Sequence, residues 1–266
     1  MVNVNLMKGD CLGLMKSIPD GSVDLILTDP PYQTTACSWD SIIPFEPMWV
    51  ELKRIIKPNG AIALFGSEPF SSALRMSNIK QYKYDWVWVK NVSTNFLHAK
   101  RQPLRNTENI HVFYKKCGKY YPIKSTGHTP TQSAKGCSNG VLYHGKNTRN
   151  YSGGETTRYP KTTIEFDVVD LKNRLHPTQK PVDLLEYLIK TYTQEGETVL
   201  DFTAGSMSTA IACINTNRNG IMIEKDEHYF KVGSDRVAQA LQELGDDRIN
   251  QALNENLSSS EIIPLT

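Results

Sequence analysis

Four residues that follow an apolar run could act on an amino group. The run at 23–27 is rich in leucine and β-branched side chains, and Asp29, Pro30, Pro31 and Tyr32 come after it. Such a run predicts a buried parallel strand, so the four residues should lie at its carboxyl end, where open α/β sheets bind ligands. The two prolines fix the backbone and remove two N–H donors, which leaves rigid acceptors beside an aromatic ring. This arrangement suits an amino group on a flat ring.

A strand, turn, helix and strand near the C-terminus predict a nucleotide-binding unit. Residues 197–206 indicate a strand that enters a tight turn at Gly205, and residues 206–217 indicate the helix behind it. The next strand, 220–224, ends in Glu224. This acid lies about 20 residues beyond the turn, the spacing at which a carboxylate accepts hydrogen bonds from ribose hydroxyls.

The remaining periodic segments supply the elements that must position these residues. Strands and helices alternate, which indicates an α/β fold. Predicted strands cover 2–7, 61–65, 84–90 and 109–116, and predicted helices cover 48–56, 69–79, 181–192 and 227–244. Pro58 to Gly60 should stop the first of these helices, and Pro181 should be the first residue of the third. Trp49 falls on the apolar face of its helix, so we expect it in the core.

Two segments lack a periodic pattern. The loop at 33–44 contains Trp39 and could close over a substrate. Residues 117–172 are rich in Gly, Ser, Thr, Lys, Asn and Tyr, and a long structureless segment of this kind is either functional or disordered. Basic residues in it could bind phosphates while its tyrosines stack on bases. Its tyrosines are Tyr120, Tyr121, Tyr143, Tyr151 and Tyr159, and its basic residues include Lys119, Lys124, Lys135, Lys146, Arg149, Arg158 and Lys161.

The charge distribution predicts a nucleic-acid partner. Residues 75–165 contain 16 Lys or Arg and 4 Asp or Glu, whereas the rest of the chain contains 14 and 24. A basic middle in an acidic frame is typical of a surface that binds nucleic acid, although a solvated basic loop would have the same composition.

Cysteine spacing and hydropathy exclude several other classes. The five cysteines form no CxxC pair, so neither a metal site nor a disulfide framework is expected. No apolar run is long enough for a membrane span and no leader pattern opens the sequence, which predicts a soluble cytoplasmic protein.

The motif from Asp29 to Tyr32 resembles the catalytic motif of the S-adenosylmethionine-dependent DNA amino-methyltransferases. These enzymes methylate N6 of adenine or N4 of cytosine, and the residue before the two prolines is Asp in the adenine enzymes and more often Ser in the cytosine enzymes. The order of the motifs, with the catalytic motif first, the basic insert second and the glycine turn last, resembles the β group of the family. The resemblance implies a bacterial or phage enzyme that forms N6-methyladenine in DNA.

The fold implied is a Rossmann-like methyltransferase fold, with a mostly parallel seven-stranded sheet, an antiparallel edge strand and a basic loop-rich insert. Residues 1–116 would form the catalytic half and 173–244 the cofactor-binding half of one domain. The segment 117–172 would be the target-recognition insert and 245–266 a C-terminal tail. DNA would bind through 75–165, and the chain could act as a monomer or a homodimer.

The resemblance also assigns site residues, with S-adenosylmethionine as cofactor and no metal. Asp29, Pro30, Pro31 and Tyr32 would be catalytic. Cofactor-binding residues would be Asp10, Asp29, His176, Thr178, Lys180, Asp201, Phe202, Ala204, Gly205, Ser206 and Glu224. Thr178, Lys180 and the N-terminus of the following helix could offer donors and positive charge to the methionine carboxylate. Asp10 could cap a helix as well as approach the cofactor.

Met207 departs from the pattern of the family. It occupies the place of a second glycine after Gly205, and Phe202 and Thr203 replace a Pro-Phe pair. A methionine side chain here could narrow the approach of the cofactor. The alternatives are therefore an N4-cytosine enzyme, a catalytically silent DNA-binding protein on the same scaffold, or an enzyme that methylates RNA or a protein amide.

Overall fold

The structure is a computed structural model that describes residues 2–33, 41–116, 118–138, 147–151 and 153–259. The chain forms two compact units. The first comprises Met1–Tyr121 and Thr162–Thr266, and the second comprises Pro122–Lys161. The predicted loop at 33–44 is described at its two ends, whereas Trp39 lies outside the described residues.

The first unit is an α/β domain. Its strands are β1 (Val4–Lys8), β2 (Val23–Thr28), β3 (Ile56–Gly66), β4 (Tyr82–Thr94), β5 (Arg105–Phe113), β8 (Thr163–Glu165), β9 (Thr198–Asp201) and β10 (Asn219–Glu224), with β6 (Ala134–Ser138) and β7 (Asn147–Tyr151) in the second unit. Its α-helices are α1 (Cys11–Leu14), α2 (Phe45–Ile55), α3 (Phe70–Ser77), α4 (Val182–Tyr192), α5 (Ser208–Asn215) and α6 (Glu227–Ser259).

The eight strands of the first unit form one sheet in the order β1-β10-β9-β2-β3-β5-β4-β8. Seven of them run in the same direction, and β5 is antiparallel to both of its neighbours. The predicted fold class is confirmed. Two details differ: the described residues form eight strands and not seven, and the antiparallel strand lies inside the sheet and not at its edge.

The short edge strand β8 explains both differences. It pairs with β4 within the segment that we expected to be irregular, and of its three residues only Ile164 is buried. Three residues are too few for an alternating pattern to be visible in the sequence. Because β4 and β5 are joined by a hairpin, β5 must be antiparallel, and the addition of β8 beyond β4 leaves it inside the sheet.

Helices cover both faces of the sheet. Each residue of β2 is buried, as expected for a strand between two helical layers. On one face α1, α2 and α3 contribute Met15, Trp49 and Phe70 to a core cluster, which confirms the interior position of Trp49. On the other face α4, α5 and α6 contribute a second cluster.

Three element boundaries differ from the predictions. Strand β3 begins at Ile56, so Pro58 to Gly60 lie inside it and do not form a separate turn. Helix α4 begins at Val182, with Pro181 as its N-cap. Helix α6 continues to Ser259, so much of the predicted tail is helical. No helix in the described ranges is long and apolar enough to cross a bilayer.

The second unit is small and contains the antiparallel pair β6–β7. An isolated bridge joins Ser125 to Arg158, and Lys124 lies 4.6 Å from the ring centre of Tyr159. The guanidinium of Arg158 donates to the carbonyls of Glu155 and Thr129, so its role inside this unit is structural. Tyr143 and Lys146 lie outside the described residues.

Candidate active site

The carboxyl ends of the parallel strands surround a cavity of about 570 Å³. The fourteen residues that the sequence predicted for the site all line it. They are Asp10, Asp29, Pro30, Pro31, Tyr32, His176, Thr178, Lys180, Asp201, Phe202, Ala204, Gly205, Ser206 and Glu224. The topology explains this convergence, because β1, β10, β9 and β2 are adjacent and parallel, and the residues after each strand meet at one edge.

Asp201 joins the ends of β2 and β9 beneath the cavity. Its carboxylate accepts hydrogen bonds from the hydroxyls of Thr28 and Thr209 and from the backbone N–H of Thr203. The hydroxyl of Thr203 in turn donates to the carbonyl of Asp29, at 3.0 Å. Burial raises the pKa of Asp201 to about 6, although the donated hydrogen bonds oppose this shift. Asp201 therefore fixes the backbone that carries Asp29.

Asp29 belongs to a buried group that we call the acid–lysine cluster: Asp29, Tyr32, Lys90, Glu108 and Lys180. The Asp29 carboxylate accepts hydrogen bonds from the Tyr32 hydroxyl and from Lys180. Glu108 Oε1 lies 3.0 Å from the Tyr32 hydroxyl and 3.2 Å from Lys180 Nζ. Its Oε2 accepts a hydrogen bond of 2.6 Å from Lys90. The cluster thus pairs two carboxylates with two ammonium groups.

The two carboxyl groups of this cluster have pKa values shifted in opposite directions. Burial raises the pKa of Asp29, and the charge of Glu108 adds to this, whereas Lys180 opposes it. Burial would also raise the pKa of Glu108, but Lys180 and Lys90 outweigh burial and lower it. Two carboxyl groups with separated pKa values commonly divide acid–base roles. Asp29 is therefore the better proton acceptor.

The sequence did not reveal Glu108 and Lys90. Both lie in the hairpin strands β4 and β5, where Glu108 pairs with Trp88 and Lys90 lies on the same face two residues further. The only available signal was an acid inside a predicted strand. Lys180 also differs from expectation, since it binds the two carboxylates of the cluster where we expected it to offer its charge to a ligand.

Tyr32 is held by an aromatic neighbour. Its ring stacks on Phe70, with ring centres 4.9 Å apart and planes 28° apart, and Phe70 contacts Phe45. Burial raises the pKa of Tyr32 well above its usual value, and Asp29 and Glu108 add to this, so the hydroxyl keeps its proton. Tyr32 lines the cavity with its orientation fixed.

The glycine turn contacts both Glu224 and His176. Gly205 has a left-handed φ of 51°, and its N–H donates to Glu224 Oε2 at 2.7 Å. The N–H of Asp226 donates to the other Glu224 oxygen, at 2.7 Å. A Cβ at Gly205 would lie 3.5 Å from the ring of His176, which packs edge-on against Tyr229. Burial and Lys180 lower the pKa of His176 to about 4, so the ring is neutral at pH 7.

Asp10 and Thr178 make local hydrogen bonds at the rim of the cavity. Asp10 caps α1 by accepting from the N–H groups of Leu12 and Gly13, and it lies 3.5 Å from Lys225. The capping role predicted for Asp10 is therefore present, and its second oxygen faces a lysine. Thr178 donates to His176 through its backbone N–H, at 3.2 Å.

The expectation that Met207 narrows the cavity is wrong. Met207 is fully buried, with a left-handed φ of 61°. Its Cγ lies 2.2 Å from the position that a Cβ on Gly233 of α6 would occupy. The side chain therefore packs into the core against α6, and the neighbours Ser206 and Ser208 line the cavity. The absent side chain of Gly233 makes the space for Met207.

This pairing predicts strong coupling between the two positions. Gly233→Ala alone should lower the free energy of unfolding by about 1–3 kcal/mol, because the added methyl overpacks the core against Met207. In a Met207→Gly background the same change should be nearly neutral, since the main obstacle is gone and alanine favours the helix. Urea unfolding of the four proteins in a double-mutant cycle measures the coupling, and additive effects would contradict the packing described here.

Comparisons with known proteins agree with this geometry. A family profile described as DNA methylase matches residues 23–235. The type II methyltransferase M.HpaI of Haemophilus parainfluenzae is 27% identical over 245 residues, which cover 87% of this chain and 73% of that protein.

Two solved structures show the same fold. The crystal structure of the M1.HpyAVI–SAM complex has a TM-score of 0.62 at 24% identity and covers 88% of this chain and 98% of that chain. The PvuII DNA methyltransferase, named as cytosine-N4-specific, has a TM-score of 0.61 at 14% identity, with 90% and 91% covered. Because the family profile spans most of its length, the chain belongs to the DNA methylase family, the S-adenosylmethionine-dependent enzymes that methylate amino groups of DNA bases.

Proposed function

We propose that the protein transfers a methyl group from S-adenosylmethionine to N6 of an adenine that has been flipped out of DNA. One observation carries this proposal: the motif from Asp29 to Tyr32 lines the same cavity as Gly205 and Glu224. An amino-group site and a nucleoside site are thus adjacent. The choice of adenine rests on Asp29 as the first residue of the motif, by analogy with the adenine enzymes of the family.

The residues around the cavity fit the cofactor. A volume of about 570 Å³ falls within the range of small-molecule pockets, about 300–1,000 Å³. Each oxygen of Glu224 accepts one backbone N–H, and a carboxylate oxygen can accept a second hydrogen bond from a ribose hydroxyl. Asp10, Thr178 and the glycine turn would hold the remaining polar groups. When bound, S-adenosylmethionine supplies a methyl group on a positively charged sulfur.

The acid–lysine cluster would position and deprotonate the target nitrogen. An exocyclic amine is conjugated with its ring and is a poor nucleophile. If the Asp29 carboxylate and the Pro30 carbonyl accept its two N–H hydrogens, its lone pair turns away from the ring and towards the methyl donor. The nitrogen then forms a bond to the methyl carbon, the bond from that carbon to sulfur breaks, and Asp29 accepts the proton that the nitrogen loses.

Tyr32 and the short distance between the two half-sites would supply the rest of the catalysis. A base inside a duplex cannot enter this cavity, so it must be extruded, and the ring of Tyr32 is placed to stack on it. Holding two reactants in the correct orientation contributes on the order of 7–11 kcal/mol to lowering a barrier. No covalent enzyme intermediate is required by this scheme.

DNA binding would use the basic residues of 75–165. Neutralising phosphates with lysines and arginines provides affinity without sequence specificity. The backbone contacts of Arg158 remove it from this role, and Lys124 is held over a tyrosine ring within the second unit. Lys115 and Lys116 are exposed in the first unit and are candidates for phosphate contacts.

The second candidate is an N4-cytosine methyltransferase. It is favoured by the fold that the chain shares with the PvuII enzyme, which is named as cytosine-N4-specific. Cytosine carries the same kind of exocyclic amine, and the chemistry of Asp29 would be unchanged. The silent DNA-binding alternative loses its motivation, because Met207 packs in the core.

Transfer of a labelled methyl group distinguishes these functions. Protein and labelled S-adenosylmethionine are incubated with duplex DNA, single-stranded DNA, RNA and an unrelated protein, and the nucleosides are then separated by mass. We expect label on DNA as N6-methyladenine. Label on N4-methylcytosine would support the second candidate, and label on RNA or protein alone would contradict a DNA substrate.

A further inference from the structure

The hairpin that joins β4 to β5 carries exposed apolar side chains at its tip. We call residues 92–105 the β4–β5 tip. Phe96 is 73% exposed and Leu97 is 85% exposed, and Val92 and Leu104 are also exposed. Isolated apolar residues on a surface are common, but four within one short hairpin form a patch, and such patches mark interaction sites.

The tip is ordered by its own hydrogen bonds. Asn95 adopts a left-handed φ of 69° and its carbonyl accepts from His98, at 3.0 Å. The carbonyl of His98 accepts from Arg101 at 2.8 Å, and Thr94 Oγ1 donates to the carbonyl of Arg105 at 3.2 Å. Arg105 also donates to Ser67 Oγ at the end of β3, at 2.7 Å. A structured turn therefore presents Phe96 and Leu97 to solvent.

The charges around the tip favour a nucleic acid as its occupant. Residues 86–107 contain Lys90, Lys100, Arg101 and Arg105 and no acid. Lys90 is used in the acid–lysine cluster, but the other three surround the apolar pair. Apolar side chains between basic ones match a DNA duplex, whose phosphates attract the cations and whose stacked bases accept an apolar wedge.

The position of the tip is suited to action at the catalytic site. Asn109 of β5 pairs with Gly66, the last residue of β3, so the tip extends beyond the carboxyl edge of the sheet. Glu108, at the base of the hairpin, contacts Tyr32 and Lys180. Arg105 is three residues from Glu108, which separates the tip from the cluster by about 10 Å along the strand.

We propose that Phe96 and Leu97 form a wedge that enters duplex DNA beside the target base and promotes its extrusion into the cavity. This inference rests on the proposed function, since only an enzyme that acts on an extruded base needs such a wedge. Unstacking one base step costs a few kcal/mol, and inserted apolar side chains compensate by replacing the lost stacking contacts.

Removal of the wedge should impair action on duplex DNA. We expect Phe96→Ala/Leu97→Ala to lower kcat/KM for methyl transfer to duplex DNA by about 10- to 100-fold, the factor that corresponds to a few kcal/mol of unstacking. Both side chains are exposed, so the fold should not change. The matched control is Val50→Ala/Met76→Ala, which removes two exposed apolar side chains from α2 and α3 and should retain full activity.

A topological assay tests insertion directly. Closed circular plasmid is relaxed by a topoisomerase in the presence of each protein, because a wedge between base pairs unwinds the duplex and changes the final linking number. The wild type and the control pair should shift the linking number, and the wedge variant should not. The salt dependence of duplex binding should be the same for all three proteins, since the phosphate contacts are intact.

The outcomes separate the wedge from the proposed function. Full duplex activity of the Phe96→Ala/Leu97→Ala variant would overturn the wedge and leave the methyltransferase intact, as would a wild-type protein that does not change the linking number. A wild-type protein that methylates no DNA would overturn the proposed function itself.

Discussion

Asp29→Asn is expected to lower kcat for methyl transfer to DNA about 10³-fold, similar to the loss of a key hydrogen-bonding group in other active sites. The amide keeps the shape of the side chain and can still accept one hydrogen bond. It cannot accept the proton that the amino nitrogen releases, and it no longer offers the negative charge that polarises the N–H bond. Single-turnover transfer of a labelled methyl group to duplex DNA measures the effect.

The control for this variant is Asp20→Asn, which changes an exposed acid that pairs with Arg54 at the surface. We expect it to retain wild-type activity. A companion variant, Tyr32→Ala, should also lose methyl transfer but still bind S-adenosylmethionine in titration calorimetry, since Tyr32 serves the target base. An Asp29→Asn protein with wild-type kcat would refute the role of Asp29 as proton acceptor.

The pKa of Asp29 gives this prediction a pH dependence. Burial and the charge of Glu108 raise the pKa, and the mechanism needs the ionised form. Activity should therefore fall as the pH drops through this raised pKa, at a higher pH than for an ordinary aspartate. The residual activity of Asp29→Asn should lack this acidic limb.

The convergence of the predicted site residues follows from a general property of parallel sheets. Asp29, Asp201 and Glu224 each follow or end a strand with a strong apolar pattern, and the carboxyl ends of adjacent parallel strands share an edge. Strand patterns and turn residues were therefore enough to place them around one cavity. The edge position of β8 was not visible, because three residues carry no periodic signal.

Glu108 could not be found in the same way, because its role depends on strand register. It meets Lys90 only because Glu108 pairs with Trp88 across the hairpin, and a shift of one residue would turn it to the other face of the sheet. It meets Lys180 only because a segment distant in sequence ends beside β5. Neither contact leaves a mark in the local sequence.

Met207 shows a different limit of sequence reasoning. The side chain at a turn can point into a site or into the core, and the choice is set by the backbone dihedral angles. Here the left-handed φ of 61° directs it towards Gly233 of α6. The compensating glycine lies 26 residues further along the chain, in a helix whose apolar pattern gives no reason for a glycine.

Glu108→Ala is expected to lower the free energy of unfolding by about 3–5 kcal/mol, because it leaves buried cations without their partner. Glu108 is only 7% exposed, and its removal deprives Lys90 of its hydrogen bond and Lys180 of one of two carboxylates. Glu227→Ala is the matched control, since it breaks an exposed ion pair with Lys8 that should contribute less than about 1 kcal/mol. Urea unfolding compares the two, and equal losses would show that the cluster is not stabilised by Glu108.

Glu108→Gln separates the effect of Glu108 on Asp29 from its contribution to stability. The amide keeps the size of the side chain and an oxygen that can accept from Tyr32, but it removes the negative charge that helps to raise the pKa of Asp29. Without that charge, Lys180 pairs with Asp29 alone, and both changes lower the pKa of Asp29. The acidic limb of methyl transfer should therefore move to lower pH than in the wild type. A purely structural role for Glu108 would reduce the amount of folded enzyme and leave this limb unmoved, so the pH profile distinguishes a residue that tunes the catalytic acid from one that only supports the fold.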